Sequence, residues 1–262
     1  MDSTRRMSPL ERQRQIVAQV TAGSVSVETL ARDLGVSEIS IRRDLVTLER
    51  QEKLLRVYGG AVMNERVAFE FSFKDKENRN RPGKEAVARS AAELVKPGMA
   101  VYLDTGTTVL IMARALRAKR PGVIVTINLG VASEYVGQRD VRVLVPGGEL
   151  NHVSPDVYGE WTLDVLSKVT VDVAFIGCDG VMPQEGFFAV DTRSAAVSRL
   201  MLSRSRQTWL LADSSKFGHS SMCTIASLTA LTGVVTDSGL SANFRRTLQK
   251  MNVGLKIGKL SA

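Results

Sequence analysis

Hydrophobic residues in the first quarter of the chain recur at helical spacing, then switch to strand-like alternation. Ile16, Val17 and Val20 share one side of a helix expected from Ser8 or Pro9 to about Ala22. Leu30 and Leu34 stand four apart behind Ser26, which suits the cap of a second helix, and Gly35 supplies the left-handed residue that closes it. Ser37 caps a third helix that reaches about Arg50. At helical angles Ile41, Leu45 and Leu48 fall on one stripe, the core face. The opposite face carries Ile39, Arg43, Val46 and Arg50, flanked by Ser40, Arg42 and Thr47. Lys53 to Tyr58, then Gly59-Gly60 and Ala61-Val62, reads as a two-stranded β-wing with Arg56 and Tyr58 alternating to one side.

The pattern breaks from Met63 to Gly83, which is polar and irregular and reads as a linker over residues 63–83. Within it Phe69, Phe71 and Phe73 alternate, as a docked strand would. Beyond it a helix is expected from Lys84 to Val95, stopped by Pro97-Gly98. Apolar strands follow at about Ala100–Leu103, Val123–Ile127, Val141–Val145, Val173–Ile176, Thr208–Ala212 and Val234–Thr236, with helical patterns between most of them. The fold class expected is therefore α/β: a winged helix-turn-helix over residues 1–62, then a domain over 84–262 with a mainly parallel sheet.

In such sheets ligands sit at the carboxyl ends of the strands. The first strand ends in Asp104-Thr105-Gly106-Thr107-Thr108, where Gly106 permits close backbone approach and the helix start favours an anion. The same Asp-Thr-Gly occurs in aspartic proteases, but here it has no second copy and a helix follows it. Asn128 tips the second strand, Gly147 and Gly148 follow the third, and Asp179 follows the fourth. Lys216, in Asp213-Ser214-Ser215-Lys216, suits phosphate as a point charge. Each feature alone reads as a turn or a cap; their convergence on one sheet edge reads as a site. A phosphate would meet Gly106–Thr108 and Lys216, and sugar hydroxyls would meet Asp104, Asn128, Asp179 or Asp191. His152 reads as a surface or satisfied histidine, and with His219 it is too sparse for a metal. No metal, cofactor or catalytic residue is assigned.

Composition narrows the partners. The net charge of +8 favours an anionic partner without choosing one, and 5% aromatics leave no stacking surface for single strands. No run of 18 apolar residues calls for a membrane span, and the first residues lack the apolar core of a secretion signal. Cys178 and Cys223 lie far apart without metal-type spacing and read as reduced thiols of a cytoplasmic protein. On the outward face of the third helix, Ile39 and Val46 suit thymine methyls while the arginines reach guanine or phosphate. The DNA-contact set is thus Ser37, Ile39, Ser40, Arg42, Arg43, Thr47 and Arg50, with Arg56 and Tyr58 on the wing.

The segment SEISIRRDLVTLERQEKLLRVYGGAV, Ser37 to Val62, resembles the signature of the DeoR family of bacterial transcription regulators, in both its S-x-x-(S/T)-I-R-R-D-L helix and its R-V-x-G-G-A wing end. The L-D-x-G-T-T, P-G-G, G-x-D-G and A-D-S-S-K-F-G segments are similar to that family's effector domain, so the resemblance spans residues 8 to about 237. That domain resembles ribose-phosphate isomerases and binds a phosphorylated sugar or polyol. One departure is Asp191-Thr192-Arg193-Ser194, where family members often carry a further carboxylate; Arg193 is placed to face an anionic ligand group. The resemblance implies a DNA-binding regulator, a repressor of a carbohydrate or polyol catabolic operon that a phosphorylated sugar or polyol relieves. Reading a near-palindromic operator of double-stranded DNA calls for a homodimer or homotetramer. Two alternatives stand beside it: a sugar-phosphate isomerase or transferase with an amino-terminal dimerisation appendage, and a nonspecific basic DNA binder. The sequence leaves open which sugar phosphate, which operator, repression or activation, and dimer or tetramer.

Overall fold

The computed structural model describes residues 7–22, 25–51, 53–63, 76–151 and 154–260. The chain divides into two compact units, residues 1–75 and 76–262. His152 and the alternating Phe69, Phe71 and Phe73 lie outside the described residues.

The first unit runs α1 (Pro9–Ala22), β1 (Val25–Ser26), α2 (Val27–Leu34), α3 (Glu38–Arg50), β2 (Leu54–Val57) and β3 (Gly60–Met63). Both expected caps form: the Ser26 hydroxyl accepts from Thr29 N–H at 3.0 Å, and that of Ser37 from Ser40 N–H at 3.3 Å. Gly35 ends α2 at φ 64°. Ile16, Val20, Leu30, Ile41, Leu45 and Leu48 meet in one buried cluster with Leu54 of the wing. The wing has a third strand, because the two-residue β1 pairs with β3 in the order β1-β3-β2. Two residues are too few to show alternation in a sequence.

Asp44, on the core side of α3, is buried and accepts from Arg12 Nε at 2.5 Å and Gln13 Nε2 at 3.0 Å. This clip fixes α1 against α3 and so sets how the outer face of α3 is presented.

In chain order the second unit runs α4 (Arg81–Ala92), β4 (Ala100–Leu103), α5 (Thr107–Leu116), β5 (Val123–Val125), α6 (Leu129–Ser133), β6 (Arg142–Leu144), β7 (Glu149–Leu150), β8 (Val157–Tyr158), α7 (Glu160–Ser167) and β9 (Val171–Gly177). It continues with β10 (Gly180–Met182), β11 (Gly186–Ala189), α8 (Thr192–Ser203), β12 (Ser205–Leu211), β13 (Cys223–Ala226), β14 (Gly233–Asp237), α9 (Ala242–Lys250) and β15 (Gly254–Gly258). Helix α4 starts before the expected Lys84 and ends short of Val95. Pro82 reads as a breaker in a polar stretch, but at a helix start its fixed φ fits and its missing N–H has no helical partner to lose.

Seven strands form one sheet in the order β15-β14-β12-β9-β4-β5-β6, and every neighbouring pair is parallel. The chain steps from β4 to β5 and β6 on one side, then returns to place β9 on the other side of β4 and steps outward again. The strand order therefore reverses between β4 and β9, where an open parallel sheet leaves a crevice at its carboxyl edge. A β7–β8 hairpin and an antiparallel β10-β11-β13 sheet were not expected from the sequence. They lie in segments whose glycines and short apolar runs read as turns.

Candidate functional site

On α3 the expected outer face is outside. Ile39 is 72% exposed, and Arg42, Arg43 and Arg50 are exposed with it. Arg42 pairs with Glu38 one turn away at 3.0 Å, an exposed contact that is easily exchanged for a phosphate. Val46 and Ser40 are half-buried, and the Thr47 hydroxyl donates back to the Arg43 carbonyl at 3.1 Å. On the wing the two expected residues part company. Arg56 shares its face of β2 with the buried Leu54 and pairs with Glu49 of α3 at 3.5 Å, while its backbone N–H donates to the same carboxylate at 3.0 Å. Tyr58 lies in the hairpin turn beyond β2, fully exposed, so strand alternation does not place it beside Arg56.

In the second unit the candidates gather at the carboxyl edge of the sheet around the reversal point. Asp104, directly after β4 and expected to meet a ligand hydroxyl, is bonded to protein groups on three sides. It is 2% exposed and accepts from Tyr102 O–H at 3.1 Å, Ser198 O–H at 3.1 Å and Gly177 N–H at 3.4 Å. Burial pushes its carboxyl up to about 7, opposed by hydrogen bonds from Thr105 N–H, Ser198 and Tyr102 and aided by the charge of Asp156. It therefore positions the loop above it, tying the ends of β4 and β9 to α8.

The next layer is exposed only in part, at Thr105, Gly106 and Thr107. Thr105 and Thr107 are half-buried, Gly106 is exposed at φ 102°, and Thr108 is buried within α5. Asn128 caps α6 through Oδ1, which accepts from Val131 N–H at 2.8 Å. Its Nδ2 donates to Asp156 Oδ1 at 2.6 Å and reaches Thr105 Oγ1 at 3.4 Å. Asp156 is a site residue that sequence reasoning missed. It is buried, and burial raises its pKa against hydrogen bonds from Ser154, Thr105, Asn128 and Tyr158. Its only sequence signal is the turn-like Ser154-Pro155-Asp156.

Around this core lie the remaining candidates. Asp191 caps α8, accepting from Arg193 N–H at 2.7 Å, and pairs with the Arg193 guanidinium at 2.8 Å. That guanidinium sits 5.2 Å from the Tyr158 ring centroid and reaches Asn151 Oδ1 at 3.5 Å. Asp179 is half-buried and accepts from Val190 N–H at 3.0 Å. Gly147 holds φ 76°, and Gly148 has a packing cause: a Cβ there would lie 2.3 Å from Thr162 Oγ1 and 2.4 Å from the Tyr158 carbonyl. The Gly147 carbonyl accepts from Thr162 at 2.7 Å, which holds the β7–β8 hairpin on α7.

At the β12 end, Lys216 is half-buried and closes a turn capped by Asp213. A second lysine, Lys84 of α4, was not singled out in the sequence, where it reads as one more helix lysine. It is 4% exposed, and its ammonium donates to the Lys76 carbonyl. Desolvation lowers its pKa, the charge of Asp213 opposes that, and the charge of Lys216 adds to it. Lys84, Asp213 and Lys216 therefore form one charge cluster. Cys178, beside it, is pushed up to about 12 by burial and stays a protonated thiol at neutral pH. Among the described residues no group of three His, Cys, Asp or Glu could hold a metal, and no helix is long and apolar enough to cross a membrane.

Comparison with known proteins agrees with both units. Residues 12–67 match the DeoR-like helix-turn-helix domain, and residues 79–238 match the DeoR C terminal sensor domain. The glycerol-3-phosphate regulon repressor of Escherichia coli K12 is 31% identical over 235 residues, covering 90% of this chain and 93% of its own. The HTH-type transcriptional regulator GlpR of Haloferax volcanii is 32% identical over 250 residues, covering 94% and 97%. Ribose 5-phosphate isomerase A of Methanocaldococcus jannaschii aligns at 20% identity with a TM-score of 0.37, over 51% of this chain and 53% of its own. The choice between regulator and sugar-phosphate enzyme is thereby resolved: with a helix-turn-helix module and a sensor module joined in this order, the chain belongs to the DeoR family and is a DNA-binding transcriptional regulator, not an enzyme.

Proposed function

We propose that this regulator represses a carbohydrate or polyol catabolic operon and releases its operator when a phosphorylated sugar or polyol occupies the carboxyl edge of the sheet. One observation carries the effector reading: Thr105, Asn128 and Asp156 are joined by hydrogen bonds beside the reversal of strand order, and Lys84 and Lys216 form a charge cluster with Asp213 at the end of β12, two strands from β4. The lysines and the start of α5 suit a phosphate. Hydroxyls of the ligand suit Thr105 and Asp179, with Asn128 and Asp156 buried behind Thr105, Asp191 and Arg193 at the rim and Gly147-Gly148 holding the hairpin beside them. Asp104 supports this layer from beneath. The repressor named for the glycerol-3-phosphate regulon is consistent with a phosphorylated polyol as the ligand class.

On the DNA side, Ile39, Arg42, Arg43, Thr47 and Arg50 would enter the major groove. Ser37 and Ser40 would lie at the phosphates beside the helix start, and Arg56 and Tyr58 along the backbone. Two copies in a cytoplasmic homodimer or homotetramer would read the two halves of a near-palindromic site. A ligand that binds the DNA-free state ~100-fold more tightly shifts the balance by ~2.7 kcal/mol, enough to empty an operator.

The test is a thermal-shift screen of phosphorylated sugars and polyols on the wild type and on Lys216→Ala. A hit whose stabilisation falls at least tenfold in affinity in the variant is expected. A hit indifferent to the lysine would remove this pocket assignment.

A further inference from the structure

Asp213, at the β12 end of the proposed effector site, uses its carboxylate unevenly. It is 1% exposed. Oδ1 accepts from Ser215 N–H at 3.1 Å, Ser215 O–H at 2.5 Å and Asn80 Nδ2 at 2.7 Å. Oδ2 is buried without a hydrogen-bond partner among the described residues. A buried carboxylate oxygen left open marks a place where a donor is wanted.

Asn80 is placed with equal particularity. It occupies the cap position of α4, where an asparagine side chain ordinarily accepts from its own helix, yet it makes no cap bond. It holds φ 51°, the left-handed region, and sends its amide across to Asp213 instead. Gly83 makes the room, since a Cβ there would lie 2.6 Å from Asn80 Nδ2. Asparagine adopts the left-handed region more readily than most residues, and here the amide bond to Asp213 replaces the cap.

Two more fasteners act on the same stretch. The Lys84 ammonium donates to the Lys76 carbonyl, and Arg114 of α5 pairs with Glu77 at 3.0 Å. Lys76, Glu77 and Asn80 thus all attach to residues of the charge cluster or of the helix that starts at Gly106. They are also the first residues of the sensor unit, where the chain arrives from the DNA-binding unit.

We infer that Lys76–Asn80 is a clasp that reads the occupancy of the effector site and passes it to the chain leading back to the helix-turn-helix. The inference rests on the anion-site reading above. The Lys84 ammonium is disfavoured by burial and by the charges of Lys216 and Arg79, and favoured by those of Asp213 and Glu77. A phosphate beside the two lysines adds a further charge that favours the Lys84 ammonium. The Lys84 ammonium has three donors, so it holds the phosphate and keeps the Lys76 carbonyl. The clasp tightens on occupancy, and Asn80 is a positioning residue that acts through Asp213.

The test is amide hydrogen exchange on the full-length protein with saturating inorganic phosphate, against potassium chloride at equal ionic strength. In the wild type, exchange should slow several-fold both at Thr105–Leu110 and at Lys76–Asn80. Asn80→Ala should keep the phosphate-induced thermal shift and the slowing at Thr105–Leu110, and lose the slowing at Lys76–Asn80. If that variant unfolds, Glu77→Gln, which loosens the clasp from the other side, should blunt the same response. Slowing at Thr105–Leu110 alone in the wild type, or a clasp response unchanged in the variants, overturns the inference. No slowing at either segment overturns the anion-site reading and the clasp with it.

Discussion

Asp104 sits where the fold least favours a charge, and its titration gives a residue-scale prediction. Its folded pKa of about 7 stands above the ordinary 3.8, chiefly through burial. Well below the lower value both folded and unfolded chains are protonated there, and burial costs nothing. Between the two values the folded chain holds a proton that the unfolded chain has lost, so stability falls as pH rises, and this group's share of the loss is complete above about 7. At ~1.4 kcal/mol per pKa unit the loss is at most on the order of 4 kcal/mol. Asp104→Asn removes that titration. Melting curves of the two proteins should diverge in the variant's favour between pH 5 and pH 8; a gap that stays constant across this range would contradict the assigned burial cost. The residues around Asp104 also show what a sequence can carry. Asn128 and Thr105 were legible because each stands within two positions of the end of an expected apolar strand. Asp156 and Lys84 were not, since the first reaches the site only through a hairpin bridge to Asn128 and the second through a helix face whose neighbour is 129 positions along, at Asp213.

At the scale of elements, α3 separates two jobs that its sequence interleaves. Arg43 points outward, while Asp44 beside it points inward to Arg12 and Gln13. Arg43→Ala should cost operator binding ~10-fold or more and leave the melting temperature unchanged. Asp44→Ala should strand a largely buried arginine, cost ~2–3 kcal/mol of stability in urea unfolding, and weaken DNA binding only as a consequence. Equal stability losses in the two variants would dissolve the distinction. The helix-turn-helix was legible almost residue by residue, because caps, left-handed turn and apolar stripe all act within a few positions. The small antiparallel strands β10, β11 and β13 were not, because β10 and β11 are too short to show a period and the pairing of β11 with β13 is long-range. Phe188 meets Thr224, and no local period records that.

For the whole molecule, the alternation of strands and helices revealed the parallel sheet, but strand order lies in the connections rather than in the apolar pattern. The strand order reverses between β4 and β9, beside the strand-end segments that the proposed effector site uses. Binding of operator DNA should also weaken with salt, with a log–log slope near ~0.9 per phosphate contacted. Random DNA should bind far more weakly at every salt concentration. Similar affinities for operator and random DNA would mark a nonspecific binder.

The most direct measurement is fluorescence anisotropy on a promoter fragment first located by footprinting, titrated with and without the strongest phosphorylated ligand from the thermal screen. Saturating ligand should raise the operator Kd by at least ~10-fold in the wild type, a coupling of ~1.4 kcal/mol, and by much less in Lys216→Ala, whose ligand-free Kd stays normal. An operator Kd that ignores every ligand the sensor unit binds would contradict the coupling of sheet-edge occupancy to DNA release.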